Sequence, residues 1–167
     1  LIKLGHRKIL CINGEAFEAC TQDRKHGYEM ALAQAGIEVN PSWIMPGDWT
    51  ATSGYEDIQK ALAEKLPFSA VFAQNDRMAI GAIRALRDAG ISVPDQVSVI
   101  GVDDMPLASY FDPPLTTIQQ DMCKIGQEAA RLLIEKVKEP GVQQNYQRFP
   151  VKLVVRNSTT MNYHEGG

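Results

Sequence analysis

The sequence predicts an α/β fold in which a mostly parallel sheet is flanked by helices, and three observations carry that expectation. Short apolar runs at Lys8 to Ile12, Ala70 to Ala73 and Val97 to Val102 lack polar alternation and read as strands buried on both faces. Between them lie longer segments whose apolar residues recur at helical spacing, the order expected of βαβ units with right-handed crossovers. The runs also stop at polar pairs, Asn13-Gly14, Asn75-Asp76 and Asp103-Asp104. That puts hydrogen-bonding groups on the carboxyl rim, where open parallel sheets take their ligands.

Lys8 to Ile12 is the first strand, ended by Asn13-Gly14. A helix follows from about Cys20 to Ala35, with Tyr28, Met30, Ala31 and Leu32 on its period and Gly36 as its stop. Ser42 to Met45 reads as a short strand, and Pro46-Gly47-Asp48-Trp49 as a turn. Thr52 or Ser53 is the expected cap of a second helix, which carries Tyr55, Ile58, Ala61 and Leu62 on one face. After the strand at Ala70, Asn75 or Asp76 caps a helix through Met78, Ile80, Ile83 and Leu86, closed by Gly90. The strand ending at Val102 leads through Asp103-Asp104 and Pro113-Pro114 to an extended run from Leu115 to Gln119. From Asp121 an amphipathic helix sets Met122, Ile125, Ala129, Leu132, Leu133 and Val137 along one side, and Val151 to Val155 is the last strand.

Composition narrows the function. With 167 residues, 44% of them hydrophobic and 22% charged, the chain has the make-up of a globular domain with a real core. A net charge of −3 and a pI near 5.6 oppose a phosphate-gripping surface, which needs clustered Lys and Arg. No apolar run approaches the roughly 20 residues of a membrane span, and Leu1 to Gly5 is too short for a signal peptide, so a cytoplasmic location is expected. Cys11, Cys20 and Cys123 are odd in number and lack metal-ligand spacing, which speaks against a disulfide framework or a zinc site.

The rim gathers Asn13-Gly14, Gly47-Asp48-Trp49, Asn75-Asp76 and Asp103-Asp104, and Arg24 in the first helix can point over it. Carboxylate, amide and guanidinium each take two vicinal hydroxyls, and an indole covers the apolar face of a sugar ring or a nucleobase. Each residue also has a plainer reading: Asn75 or Asp76 as a cap, Trp49 as a half-buried aromatic, Asp103 as a partner of backbone N–H groups, Arg24 as a partner of Asp23 or Glu29. Their convergence on one edge favours a ligand site.

Catalytic motifs are absent. The sequence holds no phosphate-binding glycine loop, no dinucleotide fingerprint and no nucleophile elbow. His6 and His26 read as solvated or locally bonded, and the adjacent Asp103 and Asp104 are not the spaced carboxylates of a glycosidase. No catalytic residue, metal or cofactor is expected, and the chain reads as no enzyme.

An ordered set of motifs resembles one family. Leu4-Gly5-His6-Arg7-Lys8-Ile9 is followed by Arg24-Lys25-His26-Gly27-Tyr28, by Gly47-Asp48-Trp49 with Ser53-Gly54-Tyr55, and by Asn75-Asp76-Arg77-Met78-Ala79-Ile80-Gly81-Ala82. Val93-Pro94-Asp95-Gln96 leads to Gly101-Val102-Asp103-Asp104, then Pro113-Pro114-Leu115-Thr116-Thr117-Ile118, and Val154-Val155-Arg156-Asn157-Ser158-Thr159 closes the series. This resembles the effector-sensing part of lactose/galactose-repressor family transcription regulators, over nearly the whole chain. The resemblance implies a two-lobed sensor of periplasmic-binding-protein-like fold behind a helix-turn-helix headpiece. Residues 1–117 and 149–160 would form its C-terminal lobe, 118–148 the crossover segment and helix belonging to the first lobe, and 161–167 a flexible tail.

By the same resemblance Arg24, Trp49, Asn75 and Asp103 match effector-binding positions, with Gln120 and Met122 near the crossover reaching the ligand from the other side. Ile80, Arg84, Tyr110 and Phe111 match a homodimer face, and an overexposed Tyr110-Phe111 loop suits an interface. The function implied is that of a repressor sensing a small sugar-like effector, with DNA contacted only through a headpiece outside this chain. Two rivals share the fold: a periplasmic sugar receptor, and a regulator that senses a purine.

Overall fold

The computed structural model describes residues 1–139 and 147–162. Its strands are β1 (Ile9–Ile12), β2 (Ile44–Met45), β3 (Ala70–Ala73), β4 (Ser98–Asp103), β5 (Thr116–Gln119) and β6 (Lys152–Val154). Its α-helices are α1 (Ala19–Gln34), α2 (Ala51–Ala63), α3 (Asp76–Asp88) and α4 (Met122–Lys138). The strands form one sheet in the order β2-β1-β3-β4-β5-β6. Every pairing is parallel except that of β5 with β6. The expected architecture is therefore present, and the antiparallel edge is what the sequence left open.

Two apolar layers explain the uninterrupted strand sequences. On one face Leu10, Ile12, Val71, Ala73 and Val99 pack against Ile58 and Ala61 of α2 and Met78, Ala82, Ile83 and Leu86 of α3. On the other, Ile9, Cys11 and Ala70 meet Tyr28 and Leu32 of α1. Tyr28 also donates its hydroxyl to Ile9 O at 2.7 Å, so its polar end is satisfied inside the core. Helices α2 and α3 cross at a pair of glycines. A Cβ on Gly81 would stand 1.9 Å from Ala51 O, and one on Gly54 would stand 2.2 Å from Met78 O. Only hydrogen at those two positions allows so close a crossing.

Several local expectations need correction. The segment expected as a strand from Ser42 begins as a 3₁₀ turn over Pro41–Trp43, and only Ile44–Met45 pair with β1. The cap of α2 is Thr50, whose Oγ1 accepts from Ser53 N, because the helix starts a residue or more before either expected cap. His6 is not solvated. It is buried, with Nδ1 3.0 Å from Ser69 Oγ and Nε2 3.1 Å from Thr160 O, and it ties the start of the chain to its last described segment.

Strand β5 runs through Ile118 and Gln119, which pair with Leu153 and Lys152 of β6, so the sheet reaches two residues past the expected lobe boundary at 117. Beyond it α4 has no buried residue, and Met122, Leu133, Ile134 and Val137 are all more than half exposed. Within the crossover expected over 118–148, residues 140–146 lie outside the described residues. Of the tail expected over 161–167, Asn162 N donates to Leu4 O at 2.7 Å, and residues 163–167 lie outside the described residues.

Candidate functional site

The segments after β2 and β3, the end of β4 and the first turns of α1 bring Trp49, Asn75, Asp103 and Arg24 to one open cleft of about 420 Å³. That volume suits a small ligand. Glu18, Arg77 and Met105 complete its lining. The larger cavity of about 730 Å³ adjoins the cleft at Arg24, spreads over the sheet face beside α1, and is walled largely by aliphatic side chains such as Ile100, Val102, Ile118 and Leu153. Few groups there could orient a polyol, so the smaller polar cleft is the better candidate.

Arg24 organises the cleft. Its Nη1 donates to Gln74 O, its Nη2 lies 3.7 Å from Asp103 Oδ1, and its guanidinium carbon stands 5.4 Å from the Trp49 ring centroid. It therefore pairs with neither Asp23 nor Glu29. One cation touches three of the rim segments through an ion pair, a backbone acceptor and an aromatic face.

Trp49 is held in place from two sides. Its φ of 70° lies in the left-handed region, which bulky residues rarely occupy. Asn75 Nδ2 donates to its carbonyl at 2.9 Å, and its own Nε1 donates to Glu18 Oε2 at 3.1 Å. Asn75 is also the N-cap of α3, its Oδ1 accepting from Met78 N at 2.8 Å. The two readings of Asn75 are thus compatible: the cap fixes the amide, and one N–H and one lone pair stay available for a ligand.

Asp76 is no cap. It is fully buried, accepts from Met105 N at 2.8 Å and from Thr117 Oγ1, and has its carboxyl raised by burial against the lowering effect of those bonds. It thereby holds the loop after β4 in place. Asp103 and Asp104 begin that loop with φ values of 119° and 56°. Two successive left-handed non-glycine residues cost about 1–3 kcal/mol each, and such strain collects at ligand sites. Burial raises the Asp103 carboxyl, opposed by Arg24, by the hydrogen bond from Gln120 and by Arg77.

Gln120 Nε2 donates to Asp103 Oδ1 at 2.8 Å, so it meets the site through Asp103. Met122 stands 63% exposed at the head of α4, outside the cleft lining. Among the proposed dimer residues, Ile80 is half-buried, Arg84 is exposed and bonded to Asp88, and Tyr110 is 85% exposed. Phe111 departs from the overexposed reading, since it packs partly buried against the main core.

Four participants escaped the sequence reading: Glu18, Arg77, Met105 and Gln74. Gln74 is fully buried and binds Asn13 Oδ1, Thr21 O and Gly14 N, joining the ends of β1 and β3 to α1. A polar residue closing an otherwise apolar strand was the available signal for it. Glu18 and Arg77 sit beside recognised rim residues but carry no spacing of their own. Among the described residues no group of three or more metal-ligating side chains is placed to hold a metal ion, and no helix is long and apolar enough to cross a membrane.

Comparison with known proteins gives the family of the chain. Residues 1–159 match the family described as the periplasmic binding protein-like domain. The chain belongs to that family. Among its relatives, the HTH-type transcriptional repressor PurR of Haemophilus influenzae is 41% identical over 163 residues, covering 95% of this chain and 48% of the repressor. A sugar-binding LacI-family regulator from Escherichia coli, solved with phosphate, superposes with a TM-score of 0.87 at 38% identity, over 96% of this chain and 58% of that one. The transcriptional regulator CelR in complex with cellobiose gives 0.91 at 35% identity, over 95% and 48%. The periplasmic-binding-protein-like fold and the likeness to LacI-family effector domains expected from the motifs are thus established. The chain spans about half the length of the curated relatives it matches.

Proposed function

We propose that this chain is the effector-sensing part of a cytoplasmic DNA-binding repressor that takes a small sugar-like ligand between two lobes. The observation that carries the reading is the cleft itself, where Arg24, Trp49, Asn75 and Asp103 converge from four separate segments. A carboxylate, a guanidinium fork and an amide beside an indole suit a ring with several hydroxyls. The cellobiose bound by CelR supports a sugar. Arg24 and Asp103 flanking Trp49 also suit a flat heterocycle, which keeps a purine as the second reading.

In this proposal residues 1–117 and 149–160 build one lobe, and 118–148 cross to the other. The bare apolar side of α4 supports it, because such a helix needs a covering surface. Effector binding would favour one lobe arrangement, reorient paired headpieces and alter operator affinity, as only differential affinity for two states can. Ile80, Arg84, Tyr110 and Phe111 would lie on the homodimer face.

The test is a titration of Trp49 emission with cellobiose, ribose and hypoxanthine in protein carrying both lobes, with Trp43→Phe to silence the buried indole. A saturable change with a sugar supports the proposal, and a change with hypoxanthine alone moves it to the purine reading. Silence with all three at millimolar concentration removes the stacking role of Trp49.

A further inference from the structure

Behind Asp103 a second acid sits in a polar clamp that the effector reading does not use. Asp104 Oδ1 accepts from Arg156 Nη2 at 2.6 Å, and Asp104 Oδ2 accepts from Gln119 Nε2 at 2.7 Å. Arg156 Nη1 donates to Leu115 O at 2.8 Å, and Arg156 N donates to Thr116 Oγ1 at 2.9 Å. The two charged side chains are only 19% and 11% exposed, so solvent screens them weakly.

The clamp joins parts of the chain that meet only in the tertiary fold. Arg156 follows β6, Leu115 precedes β5, Gln119 ends β5, and Asp104 follows β4. The neighbour of Gln119, Gln120, donates to the other aspartate, Asp103, at 2.8 Å. Consecutive glutamines thus grip consecutive aspartates, and α4 departs two residues later. Both aspartates hold positive φ. A non-glycine backbone relaxes out of that region unless its surroundings prevent it, and a change of φ at either position swings the Asp103 carboxylate.

We infer that Arg156 is a positioning residue for the effector carboxylate: through Asp104 it fixes the left-handed Asp103-Asp104 turn and ties it to the segment from which α4 leaves. The purpose of the clamp rests on the effector reading, but its existence does not. A ligand that takes Asp103 Oδ1 must share it with Gln120 or displace it. Occupancy of the cleft is then felt at the crossover without any contact between ligand and α4.

The experiment needs no effector, so its failure is separable from failure of the sugar reading. Amide NMR spectra of the 167-residue chain are compared with those of Arg156→Met and Arg156→Lys. In Arg156→Met the amides of Asp103, Asp104, Gln120 and Met122 shift or broaden, while Ile58 and Leu86 in the α2–α3 core stay in place. Arg156→Lys returns part of the shift, because an ammonium restores the charge without the fork. Changes confined to Leu115, Thr116 and Asp104, with Asp103 and Gln120 unmoved, overturn the inference. Should Arg156→Met not fold, Gln119→Ala removes one arm of the clamp at an exposed side chain. It must move Asp103 and Gln120 in the same direction, and their constancy overturns the inference as well.

Discussion

The backbone of Gly14 lies directly against the indole of Trp49, so close that a Cβ there would fall 2.0 Å from Trp49 Cζ2. The end of β1 and the turn before α2 are therefore fitted to each other through a missing side chain. Gly14→Ala must push the indole away from Arg24 and from Glu18, which its Nε1 now reaches at 3.1 Å. The variant is expected to fold with a loss of about 1–3 kcal/mol and to lose the Trp49 emission response to a bound sugar. Emission titrations beside a denaturant melt check this; a full response in a folded Gly14→Ala protein would show that the indole position is immaterial.

Arg24 and Asp103 act as a pair. Asp103→Asn keeps the shape of the side chain and removes its charge. Loss of one charge-assisted bond should weaken sugar binding about 10- to 100-fold while the melting temperature moves by no more than about 3 °C. Arg24→Met should weaken it at least as much, because it also abandons Gln74 O and the Trp49 face. The double variant should lose less than the two single losses combined, since the groups stand 3.7 Å apart and share one interaction. Calorimetric titration of the four proteins gives the coupling, and strict additivity would separate the two residues.

Asp57 makes stability fall as pH rises. It is 7% exposed on α2, its Oδ2 has no hydrogen-bond partner among the described residues, and burial raises its carboxyl to about 6 from 3.8. Asp48 and Glu56 push the same way and Lys60 opposes them. The native state therefore holds this proton more tightly than the unfolded chain does. The stabilisation is complete below pH 3.8 and is lost as pH rises through about 6. Asp57→Asn should be more stable than the parent at pH 8, by up to about 3 kcal/mol, with the gap closing toward pH 4. Urea melts across that range decide it, and a gap independent of pH would remove the proton from the account.

The three free thiols should react unequally. Cys20 and Cys123 are exposed, whereas Cys11 is buried in β1 with its thiol pushed up to about 12 by desolvation. A thiol-specific reagent at neutral pH should modify two cysteines quickly and the third only on unfolding. Rapid labelling of Cys11 in native protein would contradict the packing of α1 over β1.

Much of this molecule could be read from its chain alone, for a physical reason. Strand burial and helix periodicity are local patterns, so the apolar runs of β1, β3 and β4 and the stripe on α3 announced the sheet and its layers before any contact was known. The same locality put Trp49, Asn75 and Asp103 on the rim, because a parallel strand always ends there. Tertiary structure alone decided which partners those residues meet. Glu18 reaches Trp49 across 31 positions, and Arg156 reaches Asp104 across 52. It also buried Asp76 where a cap was equally plausible, and set β6 antiparallel beside β5. Such pairings depend on how distant segments are juxtaposed, and no spacing within either segment records them.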